Sequence, residues 1–476
     1  MHPTQKGDLL DLDILDTAED DACVAKREDG MVVLVRGLVT PGDRVRAAIT
    51  KIKKNYLEAR LVEVLASSPD RVGPVCAHYG VCGGCKWQHV RYERQLEFKR
   101  KVVADALSRL GGFDGAVVAP ALAAAHPYHY RNKVDFTFSN ERFLLDAEVN
   151  MPDADRIKPS DFALGFHRRG CFHKVIDIDR CHIASELSSR VLGLTKAFFL
   201  RHRRRAYSTI SHDGFLRNLM IRHAGSTGEL MVNLITSSFE ADLMAQYRDY
   251  LLDDLGKALT TVVNSTTSRK NLVAYGEEHH VLHGPGTIRE VLDGLSFAIS
   301  PNSFFQTNSA QALTLYQTAT RMADLGPDDV LYDLYCGTGS ITLFAGRKAR
   351  EAWGFELEPS AVADARENAR RNGLIHCSFI ATDLKQLREA MLQAGPRPDV
   401  VITDPPRAGM HERAVATLRE LAPRRIVYVS CHPGSLARDL QALCAEGLYT
   451  LREVQPVDLF PHTFHIESVA LLERAS

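Results

Sequence analysis

The chain has 476 residues, of which 45% are hydrophobic and 25% charged, with a formal net charge of −1. This excludes the disordered, fibrous and membrane-spanning classes and allows two to four globular domains. The near-neutral balance also means that any nucleic-acid surface must be a local patch.

Met1 to Asp8 carry no apolar signal core, so a cytoplasmic protein with no membrane association is expected. In that compartment the ten cysteines read as free thiols, ligands or catalysts rather than disulfides. Residues 1–68 read as a small β-barrel. Met31–Val35, Arg44–Ile52 and Leu57–Val64 are strand-like, and Gly30, Pro41–Asp43 and Lys53–Asn55 supply turns. Arg44, Arg46, Lys51, Lys53 and Lys54 recur on the middle strand and its turn. A solvated edge strand and an RNA-binding OB-like barrel both fit that charge.

Residues 69–290 read as an α+β central domain. Near its start Cys76, Cys82 and Cys85 stand in C-x5-C-x2-C spacing, with Gly83 and Gly84 between the last two. Glycines let the backbone approach a bulky inorganic core, and thiolates favour zinc or an iron–sulfur cluster. The spacing is not the C-x3-C-x2-C of radical enzymes with an open iron position. A fourth thiolate must come from further along, where Cys171 and Cys181 are both candidates. Tyr92–Leu110 has helical spacing and is closed by Gly111 and Gly112. Lys133–Phe138, Asn218–Arg222 and Glu229–Ile235 are strand-like. Arg201–Arg205, the densest positive run, reads as a solvated helix end or as a phosphate contact.

Residues 291–476 alternate β and α elements and finish on a strand pair, the pattern of a doubly wound sheet. Asp329–Tyr335 leads into Cys336-Gly-Thr-Gly339. Later strand-like runs end at Glu356, Asp383 and Asp404, and Arg425–Val429 runs into Cys431. Ligands of such sheets bind at these carboxyl ends. The glycine turn allows close approach, Glu356 can accept bonds from ribose hydroxyls, and Asp383 can hold an adenine amino group. This pattern suits S-adenosylmethionine better than a dinucleotide. In Asp404-Pro-Pro-Arg407 the prolines stiffen the loop. Arg407 stands where methyltransferases of exocyclic amines place an aromatic, which disfavours amines. The motif also lacks the cysteine of RNA cytosine-C5 enzymes.

Cys431 makes methylation at uracil C5 plausible. That carbon is too weak a nucleophile until a thiolate adds at C6. A general base must afterwards remove the C5 proton. Glu467, opening the last strand after a Pro- and His-containing loop, is the candidate base.

With these residues in place, the chain resembles the RNA 5-methyluridine (uracil-C5) methyltransferases over nearly its whole length. It is most similar to the iron–sulfur-containing branch that acts on 23S ribosomal RNA. The resemblance implies an N-terminal TRAM domain, an α+β middle and a C-terminal Rossmann-like class I methyltransferase domain. It implies a [4Fe–4S] cluster on Cys76, Cys82, Cys85 and, from its Val-Ile-Asp-Ile-Asp-Arg-Cys context, Cys181. It places Gln306, Tyr335, Ser340, Glu356, Asp383 and Asp404 on the S-adenosylmethionine, Cys431 as nucleophile and Glu467 as base. His432 follows the nucleophile where the family usually has Asn. The expected partner is ribosomal RNA, met by a monomer. A tRNA methyltransferase is the first alternative. A non-catalytic RNA-binding assembly factor is the second, and the intact Cys431, Glu467 and donor positions argue against it.

Overall fold

The computed structural model describes residues 5–18, 22–168, 171–271 and 273–475. Met1–Thr4, the start of the segment read above for a signal core, lie outside them. Strands β1 (Leu9–Thr17), β2 (Ala22–Lys26), β3 (Val32–Arg36), β4 (Arg44–Ile52) and β5 (Tyr56–Ala66) close into a barrel in the order β1-β2-β3-β5-β4. Alternation decides which side chains fill it: Val33 and Val35, Val45, Ala47 and Ile49, Leu57 and Ala59 point inward and are buried. The strands β1 and β2 were not among the expected ones. Leu10, Leu12 and Ile14 do alternate with Asp11 and Asp13, but aspartate is a poor strand former, which masks the period.

Helix α1 (Tyr92–Arg109) follows the cysteine run. The middle of the chain then forms a seven-stranded sheet. Its elements are β6 (Lys133–Ser139), β7 (Ala163–Arg168), β8 (Cys171–Asp177), α2 (Glu186–Arg201), β9 (Leu216–His223), β10 (Leu230–Thr236), α3 (Ala241–Leu255), β11 (Thr261–Thr266) and β12 (Glu278–His283), in strand order β12-β11-β10-β9-β6-β7-β8. The helices α2 and α3 cover one face, where Phe136, Phe198, Phe199 and Tyr247 are buried together. The other face turns Arg222 toward the next segment, where its guanidinium donates to the carbonyls of Pro301 and Ser303.

A hairpin of β13 (Ile288–Leu292) and β14 (Leu295–Ile299) leads to α4 (Ser309–Ala323). There follow β15 (Val330–Leu334), α5 (Ser340–Gly346), β16 (Glu351–Glu356), α6 (Pro359–Arg371), β17 (Cys377–Ala381), α7 (Leu387–Ala394), β18 (Val400–Thr403), α8 (Glu412–Leu421), β19 (Arg425–Ser430), α9 (Pro433–Cys444), β20 (Tyr449–Val457) and β21 (Glu467–Arg474). The sheet runs β17-β16-β15-β18-β19-β21-β20, with its first five strands parallel and β21 antiparallel to both neighbours. A hydrophobic core lies on each face, as a mostly parallel sheet requires. Helix α1 joins one of these cores: Val103 and Leu107 are buried with Leu440, Leu443 and Val454. The segment after the cysteine run is therefore packed on the C-terminal sheet. Among the described residues no helix is long and apolar enough to cross a membrane.

Candidate active site

The carboxyl ends of β15 to β19 open into one cleft of about 1340 Å³. It is lined by every position that the sequence marks for the methyl donor and for chemistry: Gln306, Tyr335, Ser340, Glu356, Asp383, Asp404, Cys431 and Glu467. The glycine turn after β15 is tight. Tyr335, Gly337 and Gly339 all have positive φ (64°, 54° and 82°), and a side chain on Gly339 would strike the Phe379 ring at 2.9 Å. Glu356 is fixed by three backbone donors, Gly337 N at 3.0 Å, Leu357 N at 2.8 Å and Glu358 N at 3.0 Å. Asp383 accepts from Lys385 N at 2.9 Å, so each acid is oriented before any ligand arrives. Under the turn lies Asp333, which sequence reading did not single out. Its carboxyl is fully buried, receives Thr342 Oγ1 at 2.5 Å, and is pushed up to about 8 by that burial.

The candidate reacting groups meet by register. The antiparallel pairing of β19 with β21 ends on Ser430 opposite Ser468, so the adjoining residues, Cys431 and Glu467, emerge at the same end. β18 lies on the other side of β19, with Thr403 opposite Tyr428, and delivers Asp404 to the same place. Burial pushes up the carboxyls of both Asp404 and Glu467. For Glu467 the charge of Asp404 adds to burial and the guanidinium of Arg407 opposes it. Two acids this close release their protons as a pair. The half-buried Cys431 thiol is pushed up to about 11, by burial first and then by the charges of Glu467 and Asp404, with Arg407 again opposing.

Arg407 is therefore a cation of the cleft whose charge acts on both groups, although its sequence signal was only that it is not aromatic. It bonds His465 Nδ1 at 2.8 Å, and both residues line the cleft. The far end of the proline loop is pinned by Asp439, which accepts from Met410 N at 2.7 Å and from Tyr428 OH at 2.6 Å. His432 caps α9: its Nδ1 accepts from Ser435 N at 3.1 Å. Asn is equally suited to such a cap, so the exchange leaves the local fold intact.

A second cavity of about 380 Å³ gathers Cys76, Cys82, Cys85 and Cys181, and shares Gly83, Gly84, Arg131 and Ile183 with the cleft. Cys171 is not among its walls; its sulfur lies 3.9 Å from the ring nitrogens of His173. Burial raises the thiols of Cys82 to about 11 and of Cys85 to about 12, and raises that of Cys181 as well; the neighbouring cysteines add to each shift. Among the described residues no three His, Cys, Asp or Glu side chains form a group that could hold a metal ion.

The barrel's positive stretch is partly neutralised. Arg46 pairs with Asp11 at 2.8 Å and Lys51 with Glu58 at 3.7 Å, while Lys53 and Lys54 are exposed at the β4–β5 turn. In the run after α2, Arg204 pairs with Glu240 and Arg205 with Asp213 at 3.9 Å.

Comparison with known proteins agrees with this layout. Residues 3–62 match the TRAM domain, and residues 256–475 match the family described as tRNA (Uracil-5-)-methyltransferase. An uncharacterized RNA methyltransferase of Chlorobaculum tepidum is 48% identical over 474 residues, covering 99% of this chain and 97% of its own. One from Porphyromonas gingivalis is 41% identical over 469 residues, 97% of this chain and 99% of its own. The crystal structure of the Pyrococcus abyssi tRNA (uracil-54, C5)-methyltransferase with S-adenosyl-L-homocysteine superposes with a TM-score of 0.71 at 28% identity, covering 97% of this chain and all of that one. A barrel of the TRAM type, a donor cleft at the strand ends and full-length relatives of one kind converge: the chain belongs to the RNA uracil-C5 methyltransferase family and is an S-adenosylmethionine-dependent RNA methyltransferase.

Proposed function

We propose that this enzyme methylates C5 of a uridine in 23S ribosomal RNA through a covalent adduct of Cys431, with Glu467 as the base. The observation that carries the reading is the β19–β21 register, which sets a thiol and a buried carboxyl side by side in the donor cleft. Gln306, Tyr335, Ser340, Glu356, Asp383 and Asp404 would hold S-adenosylmethionine, with Glu356 on the ribose and Asp383 on the adenine. The donor supplies a methyl group made electrophilic by its sulfonium sulfur. Cys431, as thiolate, would form the S–C6 bond, and the electron pair of C5=C6 would become available at C5 to take the methyl group as its bond to the sulfonium sulfur breaks, leaving S-adenosylhomocysteine. Glu467 then takes the C5 proton. The C–H pair restores C5=C6, and the S–C6 bond breaks to return the thiolate. Arg407, whose charge opposes the upward shift of both groups, favours the ionised forms that each step needs.

The four cysteines of the second cavity would hold a [4Fe–4S] cluster, a reading supported by the resemblance and by their lining of one cavity. Their raised thiols are also the kind that a cationic core would ionise. The cluster's four thiolates would leave no open iron site, so its part is structural or RNA-positioning. The cysteine set supports ribosomal RNA by resemblance. The similarity to the Pyrococcus abyssi enzyme, named for tRNA, favours tRNA as the second reading.

Mapping 5-methyluridine in both RNA pools of a deletion strain decides between them. The chemistry is tested on a denaturing gel. Glu467→Gln should accumulate a methylated RNA–protein adduct only with S-adenosylmethionine present, and Cys431→Ala should abolish it. Normal turnover by Glu467→Gln, or arrest without an adduct, would remove Glu467 as the base.

A further inference from the structure

Glu467 is the last residue reached by a turn, residues 458–466, that is built into the opposite end of the chain. His462 sits at its tip, 4% exposed and with φ of 64°, a left-handed conformation that is uncommon outside glycine. Gln95 of α1 holds it twice. The Gln95 Oε1 accepts from His462 N at 2.9 Å, and Nε2 faces His462 Nδ1 at 3.2 Å. The same Nε2 donates to the carbonyls of Trp87 at 3.0 Å and Val90 at 2.8 Å. The His462 carbonyl in turn accepts from Lys86 N at 2.7 Å and Trp87 N at 3.0 Å. Tyr130 OH donates to Pro461 O at 3.1 Å, and Phe464 packs on the buried Trp87, Val90 and Phe98. Inside the turn, Thr463 Oγ1 bonds Phe460 O at 2.8 Å and receives His465 N at 3.2 Å, so a shift at His462 is passed along to Glu467.

We infer that Gln95 is a positioning residue for the proton-abstraction step: through His462 it fixes the turn that aims Glu467 at the C5 proton. Gln95 is not among the residues lining the cleft and acts only through the turn. The inference rests on the reading of Glu467 as the base. It separates two effects that would otherwise look alike. Loosening the turn slows removal of the C5 proton, yet leaves thiolate addition and methyl transfer to Cys431 and the donor cleft. The adduct therefore builds up, as it does when the base itself is removed.

The test uses the full chain with S-adenosylmethionine and unmethylated transcripts of 23S ribosomal RNA and tRNA. Gln95→Met keeps the bulk and removes the amide. It should lower kcat by about 100-fold, the size expected for a displacement near 1 Å, with an unchanged KM for the methyl donor. A Cys431-dependent adduct should accumulate. Tyr130→Phe, which removes one hydroxyl from a half-buried ring, should give a smaller accumulation in the same direction and decides the matter if Gln95→Met does not fold. Loss of activity only in proportion to the unfolded fraction, with no adduct above the wild-type level, would overturn the inference. Glu467→Gln run in parallel separates the causes. An adduct in Glu467→Gln but in neither turn variant refutes the positioning role alone. No adduct in any of them refutes the base itself.

Discussion

Lys99→Met tests how the catalytic turn is held. Lys99 and Asp458 are both fully buried, on α1 and just after β20, and their charges meet at 2.6 Å. The ammonium also donates to Phe460 O at 3.0 Å, and Asp458 further accepts from Tyr92 OH at 2.9 Å and Phe460 N at 3.1 Å. Methionine fills the same space without charge. It leaves a carboxylate inside the protein with two neutral donors, and the Phe460 carbonyl with the Thr463 hydroxyl but no ammonium. Removing one partner of such a pair costs about 3–5 kcal/mol. Most of this is the penalty of the stranded charge rather than the worth of the pair, so Lys99→Met with Asp458→Asn should recover the larger part of it. The chain has two tryptophans, and Trp87 lies 5.9 Å from the ammonium, so guanidinium unfolding followed by tryptophan fluorescence reads this region. A single variant that loses less than about 1 kcal/mol would refute the reasoning, as would a double variant as unstable as the single one.

Three other expectations follow from the geometry. Anaerobically purified protein should be brown and contain iron and sulfide; Cys181→Ser should lose the colour and Cys171→Ser keep it, and the reverse would move the fourth ligand to Cys171. Neutralising Lys53 and Lys54 together should weaken RNA binding and reduce its salt slope by roughly one to two, with affinity for the methyl donor unchanged; an unaltered slope would take the barrel turn off the RNA surface. Burial and the charge of Asp404 push the Glu467 carboxyl up to about 8, and as the proposed base it would have to be ionised, so kcat/KM should rise as pH increases from 6 to 8.5. The same shift means that the fold favours the protonated acid. Its contribution to stability is therefore full below the ordinary glutamate range and is lost as pH rises toward 8, a loss that Glu467→Gln should not share. A flat rate profile, or equal pH dependence of melting in both proteins, would contradict this.

The layout of the cleft was legible because its parts are local. A glycine turn, an acid at each strand end and Asp404-Pro-Pro are signals a few residues long, and the doubly wound topology alone brings strand ends together. The placement of Cys431 and Glu467 in the cleft was legible for the same reason, since one follows and the other opens a strand of clear period. The barrel strand β1 was hidden by aspartates that face solvent. The choice between Cys171 and Cys181 was not open to spacing; the resemblance pointed to Cys181, which lines the cavity where Cys171 does not. Arg407 was read only for what it is not, because its role comes from a carboxyl and a thiol on other strands.

The clamp on the catalytic turn was out of reach for a different reason. Gln95 and His462 are 367 residues apart, Lys99 and Asp458 are 359 apart, and in its own neighbourhood Lys99 is one more charge on an amphipathic helix. Local chemistry names the candidate reacting groups, whereas the contacts that hold the turn before Glu467 are made between segments far apart in the chain. A buried lysine is costly to keep unless its partners are worth holding. Here the partners are the first and third residues of the turn that ends in Glu467. Burial of that charge thus marks the turn as a place where position, more than composition, decides the chemistry.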